Sequence, residues 1–131
     1  MNTKLDKILA EISAGELVDK ITILEIKKIK INDKEKLKEV DKELISLNST
    51  MNHFIKDKTN IIELKEKLKK INLKLWDIEN QKRKAEKNNQ FGKEFIELAR
   101  NVYKFNDERA KLKLEINQIL NSNIKEVKSH F

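Results

Sequence analysis

Within 131 residues there is no proline, and there are only two glycines, Gly15 and Gly92. These two residue types supply most tight turns and most helix breaks. A chain so poor in them is badly equipped for the closely spaced turns of a β-sandwich or barrel. It is well equipped for long uninterrupted helices. The apolar residues agree, recurring nearly throughout at steps of three and four, the helical period. Leu, Ile, Val and Phe number 15, 17, 4 and 5, enough for a folded core although 39% of the residues are charged.

The spacing predicts a single helical domain over residues 1–131, with four long helices at about 14–31, 33–56, 60–88 and 92–120. Ser13 and Glu16 match a capping box at the first start, flanked by Ile12 and Leu17 as a hydrophobic staple. Leu37, Val40, Leu44, Leu47, Met51 and Phe54 form a heptad seam on the second helix. Asn60 is the expected cap of the third, with Glu63 three residues on. Ile61, Leu64, Leu68, Ile71, Leu75 and Ile78 repeat the seam there. Gly92 caps the fourth, with Phe91 and Ile96 as its staple, and Asn121-Ser122-Asn123 ends it. Residues 3–11 suit a short leading helix through Leu5, Ile8, Leu9 and Ile12, and a tail follows the fourth helix. The fold class expected is all-α: an antiparallel four-helix bundle in which helices 2 and 3 form a coiled-coil-like hairpin. A long hairpin protruding from a smaller helical base is the variant.

Several polar residues interrupt the apolar faces. A helical wheel places Asn106, Arg109, Lys113 and Asn117 in one row on helix 4. Glu25 falls within the apolar arc of helix 1, and Asn72 and Glu79 within that of helix 3, beside Trp76. Buried charges need partners or a wet cavity. One reading is structural: Glu25 and Glu79 neutralise Arg109 and Lys113 while the asparagines set register. The other is a small-anion pocket between helices, with Arg109 and Lys113 as donors, Glu25, Asn72, Glu79, Asn106 and Asn117 around them, and Trp76 and Tyr103 as walls.

Charge and composition bound the rest. The formal net charge is +7, but Lys outnumbers Arg 26 to 3, a poor ratio for base-specific nucleic-acid reading. Lys, Ile and Asn, residues with AT-rich codons, supply 57 positions, so part of the basicity reflects coding bias. Lys67, Lys70 and Lys74 share one outward face in the most basic stretch and offer a non-specific polyanion surface. With no cysteine, disulfides, cysteine zinc sites and thiol chemistry are excluded. His53 and His130 have no metal-like partner at helical spacing. No glycine-rich phosphate loop or nucleophile elbow exists. The carboxylate pairs Glu39/Glu43, Glu63/Glu66 and Glu94/Glu97 read as solvated faces. No cofactor, no metal, no signal peptide and no membrane span is expected, and the location expected is the cytoplasm.

Four blocks carry a resemblance. GELVDKITILEIK (Gly15 to Lys27), LWDIEN (Leu75 to Asn80), FIELARNVYKFNDERAKLKLEIN (Phe95 to Asn117) and IKEVKS (Ile124 to Ser129) resemble a family of small all-helical bacterial and phage proteins of unknown function. The resemblance implies no activity, and only a faint association with glycan-related genes. The family pattern has proline where this chain has Ala14, and both suit a first helical position. The blocks contain Glu25, Trp76, Glu79, Tyr103, Asn106, Arg109, Lys113 and Asn117. They also contain Glu16, Asp19, Lys20, Thr22, Arg100 and Asp107, which the wheel leaves at the edges of apolar arcs or outside them. The leading functional expectation is a non-catalytic helical interaction or scaffold module that associates with itself or with a protein partner. The alternatives are a bundle that binds or transforms a small anion such as a phosphosugar, nucleotide or dicarboxylate, and a polyanion binder.

Overall fold

The computed structural model describes residues 3–128. It is all-helical: α1 spans Ala14–Lys30, α2 Lys34–Phe54, α3 Ile62–Lys87 and α4 Lys93–Ile119. A one-turn 3-10 segment, Thr59–Ile61, leads into α3.

The helix ends follow local chemistry. Ser13 caps α1 by accepting from the Glu16 amide, and Asp33 caps α2 by accepting from those of Glu35 and Lys36. Glu16 does not complete the capping box: its carboxylate turns to Lys20 and Lys113. Asn60 makes no cap. It lies inside the 3-10 turn, and Asp57 organises the turn by accepting from both the amide and the hydroxyl of Thr59. Gly92 is the N-cap of α4, and Phe91 meets Phe95 edge-to-face at 5.4 Å rather than stapling to Ile96. Both long helices end in the same way. Asn89 and Asn121 take left-handed φ of 54° and 52°. The amides of Gln90 and Ser122 then bond back to the carbonyls of Ala85 and Asn117. This is the Schellman closure, with asparagine doing what glycine usually does.

The pairing of helices differs from the expected one. α2 folds back on α1, and α3 pairs with α4, while α1 touches all three others. Among the described residues, α2 and α3 nowhere bring their backbones within 8 Å, so they form no coiled-coil hairpin. The reason lies in α1. Leu17, Val18, Ile21, Leu24 and Ile26 are all buried, so this helix is apolar on more than one side and needs cover all round. The heptad seam of α2 supplies Val40, Leu44 and Met51 to one side of it. Ile61, Leu68 and Ile116 close the other.

The expected leading helix is absent: residues 3–13 are non-helical. Leu5, Ile8 and Leu9 are 79–87% exposed, and so short a helix without a packing partner is unstable in water. Residues 123–128 return as a non-helical strap that reaches the start of α1 through Glu126. Phe131 and His130 lie outside the described residues.

Candidate functional site

The polar residues of three helices meet where α1 crosses the base of the α3–α4 hairpin. The N-terminal half of α1 lies on α4, through Gly15, Glu16 and Asp19, and its later half on α3, through Glu25. The helical row Arg109, Lys113 and Asn117 on α4 faces Gly15, Glu16 and Asp19 on α1.

Asp19 is the centre. It has no solvent exposure. Its Oδ1 accepts from Arg109 Nε and from Asn72 Nδ2, each at 2.9 Å, and its Oδ2 accepts from Arg109 Nη2 at 2.5 Å. This is a bidentate arginine–carboxylate pair, the strongest common form of charge-assisted hydrogen bond. Asn72 Nδ2 also donates to Thr22 Oγ1, and Thr22 donates to the Asp19 carbonyl. The bonds to Asp19 hold the Arg109 guanidinium above its ordinary pKa, against the opposing effect of burial. Asn106 adds a long contact of 3.5 Å to Arg109 Nη1 from an exposed position. One turn on, Lys113 Nζ donates to Glu16.

The third layer closes the start of α1. Three of its first four amides find acceptors outside the helix: Ala14 on Ser122 Oγ, Gly15 on Asn117 Oδ1 at 2.6 Å, and Glu16 on Ser13 Oγ. These are the donors a helix N-terminus otherwise leaves open. Asn117 Nδ2 and Ser13 Oγ both donate to the Glu126 carboxylate on the strap. Burial works to raise the pKa of Glu126. The bonds from Ser13, its own backbone and Asn117, with the charge of Lys113, outweigh that and hold it below the usual carboxylate range. Gly15 makes the contact possible. A Cβ there would stand 2.4 Å from the Lys113 carbonyl oxygen and 2.9 Å from Asn117 Oδ1. The glycine is a close-approach residue between two helices, more than a residue of the helix start.

The structure therefore gathers Asn72, Arg109, Lys113 and Asn117 into one network, with Asn106 at its rim. It does not bring Glu25 or Glu79 to them. Glu25 pairs with Lys65 and Lys69 at 3.4 Å each, and Glu79 pairs with Arg83 on the surface of α3. The acids that neutralise Arg109 and Lys113 are Asp19 and Glu16. Trp76 is half-buried and borders a cleft of about 190 Å³ with Ile23, Ile26, Asn72, Leu75 and Arg109. Tyr103 does not border that cleft and stands 57% exposed. Lys67, Lys70 and Lys74 are exposed on α3, Lys74 lying over the Phe105 ring at 5.1 Å. Among the described residues no group of three or more His, Asp or Glu is placed to hold a metal ion. No helix there is long and apolar enough to cross a membrane.

The sequence singled out Ser13 and Glu16 as a cap, and Glu16, Asp19 and Thr22 within the resemblance blocks, but placed none of them, nor Glu126, in this network. A usable signal was present. Glu16, Asp19 and Thr22 repeat every three residues beside Gly15, and a short acidic side chain in such a row suits a close arginine. A model of a family of unknown function, DUF6165, matches residues 8–131. The chain belongs to this family. No curated protein and no solved structure matches the chain. As a DUF6165 protein it carries the matched region through all four helices and the strap, and the Asp19–Arg109 network sits wholly inside it.

Proposed function

We propose that this DUF6165 chain is a non-catalytic, cytoplasmic helical interaction module whose recognition surface is the α3–α4 hairpin. One observation carries the reading. Beyond the base, the hairpin leaves large apolar side chains uncovered: Phe91 is 50%, Ile96 49% and Tyr103 57% exposed. Ile96 and Tyr103 lie along one line of α4, and apolar side chains grouped on one face offer a surface that a partner can cover. The polar network supports the same reading from the other side. Both cations that an anionic ligand would use are already matched, Arg109 by Asp19 and Lys113 by Glu16. That arrangement builds a rigid base rather than an open binding pocket.

Light scattering of the purified protein, combined with affinity capture from native lysate, tests it. The expected result is a mass above the monomer or a stably retained partner, lost on Tyr103→Glu while the helical signal is unchanged. A strict monomer that retains nothing overturns the reading.

A further inference from the structure

The α4 helix has three faces, and two are occupied. Phe95, Leu98, Val102, Phe105, Leu112 and Ile116 form the half-buried or buried stripe towards α3. Arg109, Lys113 and Asn117 meet α1. The third face carries Ile96, Ala99, Tyr103, Ala110 and Leu114, at helical steps along one line. Ile96, Tyr103 and Leu114 are 49%, 57% and 39% exposed. At the Leu114 end this face opens into a crevice of about 420 Å³ between α4 and the strap, bordered by Ala110, Leu114 and Val127.

Beside this stripe runs a row of charges: Lys93, Glu97, Arg100, Glu108, Lys111 and Glu115. None of the six forms an ion pair among the described residues. Their order is self-complementary. If a second α4 lies antiparallel, one register sets Lys93 opposite Glu115, Glu97 opposite Lys111 and Arg100 opposite Glu108. A two-fold axis makes each pairing twice. Opposed charges flanking an apolar seam are the means by which paired helices fix partner and orientation. The same register brings Ile96 of each copy level with the space between Ala110 and Leu114 of the other, where the crevice lies. One contact is unfavourable: Lys104 meets its own copy on the axis.

We propose that two copies of this chain associate through α4, antiparallel, with Ile96 of each copy seated in the Ala110–Leu114–Val127 crevice of the other. This rests on the reading of the chain as an interaction module and names its partner as a second copy.

Sedimentation equilibrium of the full chain at low salt reads the association. The wild type is expected to be a dimer. Glu97→Lys places like charges together twice and should weaken it about tenfold. Adding Lys111→Glu should restore it, and Lys104→Gln should tighten it. Both charge positions are at the surface without an intrachain ion pair, so circular dichroism should show every variant folded. Ile96→Ser should give a folded monomer. A wild type that stays monomeric at submillimolar concentration overturns the proposal, as does a dimer that ignores Glu97→Lys or is not restored by the double exchange. A monomer that still captures a different protein in a Tyr103-dependent way overturns self-pairing alone. A monomer that captures nothing overturns the interaction reading as well.

Discussion

The base and the outer hairpin are built from the same helices by different means. At the base, α1 is touched by α2, α3 and α4, and the side chains it turns towards them are buried whether apolar, as Val18 and Ile21, or polar, as Asp19 and Thr22. In the outer hairpin, α3 and α4 have only each other. From Glu79 to Arg100 no residue is buried, and Phe95 and Leu98 are covered only partly. α3 and α4 thus pass from packing against α1 as well as each other to packing against each other alone. The contrast teaches where stability and recognition reside. Polar groups enclosed at the base must be satisfied, so they form a closed network. Apolar groups left open on the hairpin are available to a partner.

The largest effect that would break this contrast is expected at Asp19. Asp19→Ala leaves the Arg109 guanidinium without its bidentate acceptor and the Asn72 amide with Thr22 alone, and should cost about 3 kcal/mol in chemical denaturation. The partial exposure of Arg109 keeps the loss near the lower end for such pairs. Gly15→Ala comes next. The added methyl meets the backbone carbonyl of Lys113, which cannot swing away, so α1 must move off α4 at a cost of about 2 kcal/mol. Hydrogen exchange should show the loosening first at the start of α1.

A smaller effect concerns the strap. The Glu126 pKa is depressed in the folded state. Its contribution is therefore present above the unfolded-state carboxylate pKa and is lost as pH falls through the lower folded value. Glu126→Gln should flatten stability against pH on that acid side and, because Glu126 lies at the surface and Gln can still accept a hydrogen bond, cost less than about 1 kcal/mol at neutral pH. The smallest effect is expected on the hairpin surface. Arg83→Ala removes only the exposed pair with Glu79 and should change stability by less than about 0.5 kcal/mol. Native-state hydrogen exchange sharpens the comparison across the whole chain: protection should be greatest in Val18–Leu24 and fall steadily towards Gln81 and Glu97.

Much of the local structure was legible. Ser13 and Gly92 mark helix starts, and Asn121-Ser122-Asn123 marks the end of α4, because caps act within a few residues. The heptad of α2 was equally plain, but a seam states only that a partner exists. Its partner is α1 and not α3, since α1 carries buried apolar residues on more than one side. The candidate site was half legible. Arg109, Lys113, Asn117 and Asn72 stood out as polar residues within apolar arcs. Their acids did not, because Glu16 and Asp19 lie outside the main arc of α1, on the side that only the crossing with α4 buries.

By itself the sequence determined the all-helical class, through the scarcity of proline and glycine and the period of its apolar residues. It also marked the starts of α1 and α4 and the end of α4, since propensity and capping are local. Only the tertiary structure decided which helices touch and which charges pair. Those depend on the path of α1 across the hairpin, on the absence of a side chain at Gly15 that allows its close approach, and on contacts between residues about a hundred positions apart. The physical difference is one of range: a helix is specified by neighbours within a turn, a buried ion pair by the packing of the whole base.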